Sequence, residues 1–99
     1  MVAQVEAVVS AVPKGRVASY SGVGRALKNP TTGRIIGQYM KHYGHALPWW
    51  RIVAKSGLIA LAKSDPQGAA EQRARLIKEG VEFNGDRIPA RYFIDEELG

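Results

Sequence analysis

The chain has 99 residues, 45% of them apolar, and no cysteine. This is enough apolar side chain for one compact domain and too much for a disordered chain, and the missing thiols exclude disulfides, a thiolate zinc site and a cysteine nucleophile. The net charge of +5 is segregated: residues 1–63 hold nine Lys or Arg against one acid, Glu6, a net of +8, whereas residues 64–99 hold five against eight acids, a net of −3, the electrostatic footprint of a nucleic-acid binder.

In chain order, Val2, Val5, Val8, Val9 and Val12 follow helical spacing and predict an amphipathic helix over 3–11, ended by Pro13, Lys14 and Gly15. Met1 to Val12 carries Glu6 and no basic leader, and no apolar run nears the roughly 20 residues of a membrane span. Neither a signal peptide nor a membrane partner is expected. Arg16 to Tyr20 reads as an extended link, and Ser21 as the N-cap of a short helix through Leu27. Asn29-Pro30 forces a turn, after which Thr31 or Thr32 caps a helix carrying Ile35, Ile36, Tyr39 and Met40 that fades at His42 to Gly44. Two helices joined by a tight turn form a helix-turn-helix candidate. Ile52-Val53, Ser56-Gly57 and Leu58-Ile59 then predict a small β-hairpin, placed as a wing would be. Asp65 caps a last clear helix with Pro66 at its first position and Gly80 at its end. Val81 to Phe83, Asn84-Gly85 and Ile88 close the chain with a short extended piece and a turn. The expected fold is mainly α with a small β wing, a winged helix-turn-helix DNA-binding domain filling 1–99 as a single unit.

Residues with conventional catalytic patterning are scarce. His42 and His45 lie three apart with no carboxylate or third ligand near in sequence, so solvated histidines beside DNA fit better than a metal site, and no cofactor is expected. Gly22, Gly24, Gly33 and Gly37 match no phosphate loop and instead suit close backbone approach, to DNA or between helices. Pro48-Trp49-Trp50-Arg51 stands out. On a strand, adjacent tryptophans point to opposite sides, so one fills the core and the other covers the surface or lines a pocket for a planar ligand.

Four segments resemble the C-terminal DNA-binding domain of the O(6)-alkylguanine-DNA alkyltransferases. Val12 to Tyr20 is similar to the family's entry segment, ending in its Tyr, and Gly33-Arg34-Ile35-Ile36-Gly37-Gln38-Tyr39-Met40-Lys41 to its recognition helix. Pro48-Trp49-Trp50-Arg51-Ile52-Val53 occupies the place of the motif Pro-Cys-His-Arg-Val, and Gly57 to Ile59 resembles the turn after it. Order and spacing agree over residues 5–62. Trp49 replaces the acceptor cysteine, the hallmark of the alkyltransferase-like proteins, and Gln72 to Phe83 resembles their C-terminal helix and exit. Here the motif's histidine is also replaced, by Trp50.

The resemblance implies a protein that is not an enzyme, since transfer requires a nucleophile that becomes alkylated and an indole is a poor one. Ser19 and Ser21 have no evident base partner. It implies binding of double-stranded DNA containing O(6)-alkylguanine through the minor groove, with the damaged nucleotide turned out of the helix. Tyr20 would meet the flipped nucleotide's phosphate, Arg34 would fill the gap it leaves, and Gly37 would allow close approach. Lys14, Arg16, Arg25, Lys28 and Lys41 are the phosphate-contact candidates, so affinity should fall steeply with salt. Tyr20, Pro48, Trp49, Arg51, Val53 and Ile59 would frame the lesion pocket. The implied outcome is a lesion flagged to nucleotide excision repair proteins by a monomer, cytoplasmic and nucleoid-associated in a bacterium, nuclear in a eukaryote. Asp95, Glu96 and Glu97 are either a partner surface or a solvated terminus. The competing reading is a winged-helix transcriptional regulator reading sequence in the major groove, against which stands the lone Gln38 available on the second helix.

Overall fold

The computed structural model describes residues 2–59 and 65–98. Helix α1, Val2–Ser10, presents Val5 and Val9 one turn apart, both fully buried with Val12. The chain reverses at Gly15, whose φ of +85° suits a residue without Cβ. It then runs through strand β1, Ala18–Ser19, into helix α2, Tyr20–Ala26. Ser19 rather than Ser21 caps α2: its backbone is extended, and its hydroxyl accepts the Gly22 N–H at 2.9 Å. Helix α3, Gly33–Tyr43, starts at Thr32, whose hydroxyl accepts the Ile35 N–H at 3.3 Å. Helices α2 and α3 approach so closely that a Cβ on Gly24 would strike the Thr31 carbonyl oxygen and one on Gly33 would lie 2.9 Å from the Ser21 nitrogen.

After two short 3₁₀ turns, Gly44–Ala46 and Trp49–Arg51, strand β2, Ile52–Val53, pairs in parallel with β1 in the register Ala18 to Ile52 and Ser19 to Val53. This corrects the expected hairpin: β2 takes its partner from a strand more than thirty residues earlier. The Ser56-Gly57 segment forms a tight turn, closed by Gly57 N–H to Ala54 O at 2.9 Å and Ala54 N–H to Leu58 O at 3.1 Å. Gly57 has a φ of +89°, and a Cβ there would meet the Ile88 carbonyl at 2.7 Å, so the turn is pinned against the C-terminal segment. The small sheet divides the core. Ala18 and Ile52 face a cluster with Val5, Val9, Val23 and Ile36, whereas Val17 and Val53 face a second with Leu76, Val81 and Ile88.

Helix α4, Pro66–Lys78, begins with Asp65, which accepts the Gly68 N–H at 2.9 Å, and ends before Gly80 at φ +99°. A turn at Asn84–Arg87 follows. Phe93 then bridges alongside Val17, and helix α5, Asp95–Leu98, packs against α2. The terminus is therefore not simply solvated. The Asp95 carboxylate accepts the Ser19 N–H at 2.9 Å and the Ser19 hydroxyl, and lies 3.8 Å from Arg25. The result is mainly helical with a two-stranded sheet, a winged helix-like fold.

Candidate nucleic-acid interface and base cleft

A cleft of about 760 Å³ opens between α3 and α4, within the size range of small-ligand sites. Tyr20 from the start of α2 and Gly33, Gly37, Met40 and Lys41 from α3 form one side. Trp49 lies in the cleft wall, and Asp65, the cap of α4, with Gly68, Glu71 and Arg75 of that helix forms the other side. Of the expected pocket residues, Tyr20 and Trp49 line this space. Burial holds the Tyr20 hydroxyl above its ordinary pKa, so it stays a neutral donor and acceptor at neutral pH.

The Trp49–Arg51 turn explains why two tryptophans can be adjacent. A 3₁₀ turn, unlike a strand, sets their rings perpendicular, with centroids 6.1 Å apart and an interplanar angle of 88°. Trp49 packs against the first core and faces the cleft, while Trp50 packs on the second. The Trp50 indole N–H donates to the Glu79 carboxylate at 3.0 Å. Arg51 adds a two-pronged contact to the same carboxylate, at 3.0 and 2.7 Å, and donates to the Val12 carbonyl at 3.1 Å. The Gly15 N–H supplies one more donor at 3.3 Å. Burial alone would raise the pKa of Glu79. The hydrogen bonds from Arg51, Trp50 and Gly15, with the Arg51 charge, outweigh it and hold the group below the ordinary carboxylate range.

Four expected pocket residues stand elsewhere. Arg51 is spent on Glu79 and Val12, so it braces the turn rather than facing a ligand. Val53 is fully buried in the second core because the parallel pairing turns it away from the cleft. Pro48 and Ile59 are half-buried beside the turn and beyond β2, and neither lines the cleft. Conversely, sequence reasoning missed the α4 wall, although the helix itself was expected. Only long-range packing brings α4 across from α3, and nothing in the local pattern signals that.

Among the expected phosphate contacts, Lys14, Lys28, Arg34 and Lys41 are exposed with no ion pair among the described residues. Arg34 sits in the first turn of α3, and Lys41 lies on the cleft rim. Arg16 differs. Its guanidinium donates to the Tyr92 and Phe93 carbonyls at 3.2 and 3.4 Å and lies 3.7 Å from Glu97, so it ties down the C-terminal segment. Arg25 is exposed but shares Asp95. Gly37 lines the cleft, and among the described residues a Cβ there would meet nothing within 4 Å, so no packing among them requires a glycine at this point. No group of three or more His, Asp or Glu among the described residues could hold a metal ion.

Residues 1–81 match the family model for the DNA-binding domain of 6-O-methylguanine DNA methyltransferase. The chain is similar to a DNA base-flipping protein of Escherichia coli K12, at 36% identity over 80 residues, covering 79% of this chain and 60% of the relative. It thus spans about three fifths of that relative's length. Alkyltransferase-like protein 1 of Schizosaccharomyces pombe is 34% identical over 77 residues, covering 76% of this chain and 70% of the relative. The crystal structure of S. pombe Atl1 in complex with damaged DNA containing O6-carboxymethylguanine superposes with a TM-score of 0.69 and 35% identity, covering 81% of this chain and 75% of that one.

Proposed function

The chain belongs to the family of the 6-O-methylguanine DNA methyltransferase DNA-binding domain, among its alkyltransferase-like members, and from that premise we propose that it is a non-enzymatic sensor of O(6)-alkylguanine in duplex DNA. Helix α3 enters the minor groove and the damaged nucleotide turns out into the cleft beside Trp49. The observation that carries this reading is a cleft of base-accommodating size with an indole in its wall, in a chain with no cysteine to accept an alkyl group. That a relative is found in complex with damaged DNA supports the lesion-binding part of this reading.

The physical sequence is as follows. Extruding a base costs a few kcal/mol, less where alkylation at O6 has already weakened pairing with cytosine. Arg34 fills the vacated stack with a planar group that can donate to the orphaned partner base. Lys14, Lys28 and Lys41 hold phosphates, which carry no sequence information, as a sensor of lesions at any position requires. Trp49 offers a flat apolar face to the extruded base. Because the lesion is held and not repaired, the bound monomer would flag it to nucleotide excision repair proteins at the nucleoid or in the nucleus.

The test is a fluorescence titration of duplexes identical but for one O(6)-methylguanine. The expected preference for the damaged duplex is about tenfold, the scale set by the lowered extrusion cost. The protein's mass should stay unchanged. Equal affinity for both duplexes, or a gain of one methyl group on the protein, would overturn the reading.

A further inference from the structure

Arg75 projects from α4 into the cleft, across from Gly37 and Met40 of α3. Its guanidinium carbon lies 4.5 Å from the centroid of the Trp50 ring, and its Nε donates to the Glu71 carboxylate at 2.9 Å, one turn back on the same helix. A ring face and an acceptor thus set the plane of the guanidinium before any ligand arrives. Its two terminal nitrogens have no partner among the described residues, and the side chain is 47% exposed. Such a group can only donate hydrogen bonds.

The direction of base entry decides what this donor meets, given the lesion-sensing reading on which the inference rests. A nucleotide leaving a duplex held by α3 keeps its sugar near α3 and leads with its base. In guanine the glycosidic nitrogen and the Watson–Crick edge lie on opposite sides of the ring system. The edge carrying O6 and N1 therefore arrives at the α4 wall. Guanine carries a hydrogen on N1. Alkylation at O6 removes that hydrogen and leaves N1 a lone-pair acceptor.

We propose that Arg75 is the specificity-determining residue of the cleft, recognising the N1 acceptor of O(6)-alkylguanine with a guanidinium N–H and opposing guanine, whose N1–H would face it donor to donor. Recognition then depends on what alkylation does to N1, whatever the alkyl group. Cost falls on the undamaged base as well as gain on the damaged one, the pattern of a site that rejects a ligand by leaving polar groups unpaired.

The experiment compares duplexes carrying guanine, O(6)-methylguanine, or O(6)-methyl-1-deazaguanine, in which a C–H replaces N1. Each is titrated with the wild-type protein, Arg75→Met and Arg75→Lys. The wild type should bind the deaza duplex about fivefold more weakly than the O(6)-methylguanine duplex, the low end for a base-edge hydrogen bond because the side chain is half exposed. Arg75→Met should lose that same factor on O(6)-methylguanine and show no further loss on the deaza base. Arg75→Lys, still a donor but without the fixed plane, should recover part of it. Equal wild-type binding of the methylated and deaza duplexes, or an Arg75→Met protein that still tells them apart, would overturn the role of Arg75 while leaving lesion sensing intact. Wild-type indifference between guanine and O(6)-methylguanine would instead remove the reading beneath it. The deaza comparison on the wild type needs no variant to fold.

Discussion

Single residues in this protein separate into those the fold needs and those it leaves free. Gly24 and Gly33 belong to the first kind, since a side chain on Gly24 would collide with Thr31 in the turn between α2 and α3, and one on Gly33 would crowd the backbone of Tyr20 and Ser21 at the start of α2. Gly37 belongs to the second. It sits mid-helix, where glycine costs roughly 0.5–1 kcal/mol relative to alanine, yet a Cβ would meet nothing within 4 Å. A glycine kept at that cost on an open cleft wall is best explained by something outside the chain that must come close. Gly37→Ala should therefore raise thermal stability, read as a higher Tm, while weakening duplex binding by about 1 kcal/mol or more through steric crowding. A variant that is stabilised and binds DNA unchanged would remove Gly37 from the interface. Trp50 makes a related point about substitution. In the place where the resemblance expects a histidine, the indole N–H donates to Glu79, so the side chain fastens the turn and does not itself line the cleft.

At the scale of elements, the Trp49–Arg51 turn is held from behind by α4, and Glu79 is the fastening. Its carboxylate takes four donors, and its ion pair with Arg51 is largely buried, at 9% and 16% side-chain exposure. Because the folded-state pKa is depressed, the stability Glu79 contributes is fully present above its unfolded pKa, and is lost as pH falls through the lower folded value. Glu79→Gln should cost about 3 kcal/mol at neutral pH by leaving Arg51 buried without its counter-charge. The difference from wild type should shrink as pH falls through the ordinary carboxylate range, where Glu79 of the unfolded chain takes up a proton before the native carboxylate does, and vanish below the depressed folded value. Urea titrations at pH 7 and in acid would check this, and a pH-independent difference would contradict it. The same elements show what local sequence can reveal. The cap at Asp65, the cap at one of Thr31 and Thr32 (it is Thr32), and the stop at Gly80 are legible because they depend on neighbours a few residues away. The parallel pairing of β2 with β1 is not, because two-residue strands carry little periodicity and their partners are remote. That Val53 and Arg51 stand away from the cleft follows from that one pairing and from the Glu79 contact.

Across the whole molecule, the segregated charge is partly folded back on itself. Glu79 meets Arg51, Glu97 meets Arg16, and Asp95 meets Arg25, so the acidic third of the sequence neutralises cations of the basic part and leaves Lys14, Lys28, Arg34 and Lys41 exposed. The segment doing this lies mostly beyond residue 81, where the family match ends. Asp95 is its anchor. It reaches Ser19, which is fully buried, caps α2 and directly precedes Tyr20 of the cleft. Removing the carboxylate would leave the Ser19 N–H buried without an acceptor, which costs about 1–3 kcal/mol. For a domain of this size, Asp95→Ala should lower Tm by about 10 °C, whereas Asp95→Asn, which keeps an acceptor oxygen, should lose less than half of that. Asp95→Ala should also weaken lesion binding although Asp95 lies outside the cleft lining, because the start of α2 positions Tyr20. Calorimetry with parallel duplex titrations would decide. If Asp95→Ala unfolds and binds as the wild type does, the C-terminal segment is not part of what holds the cleft together.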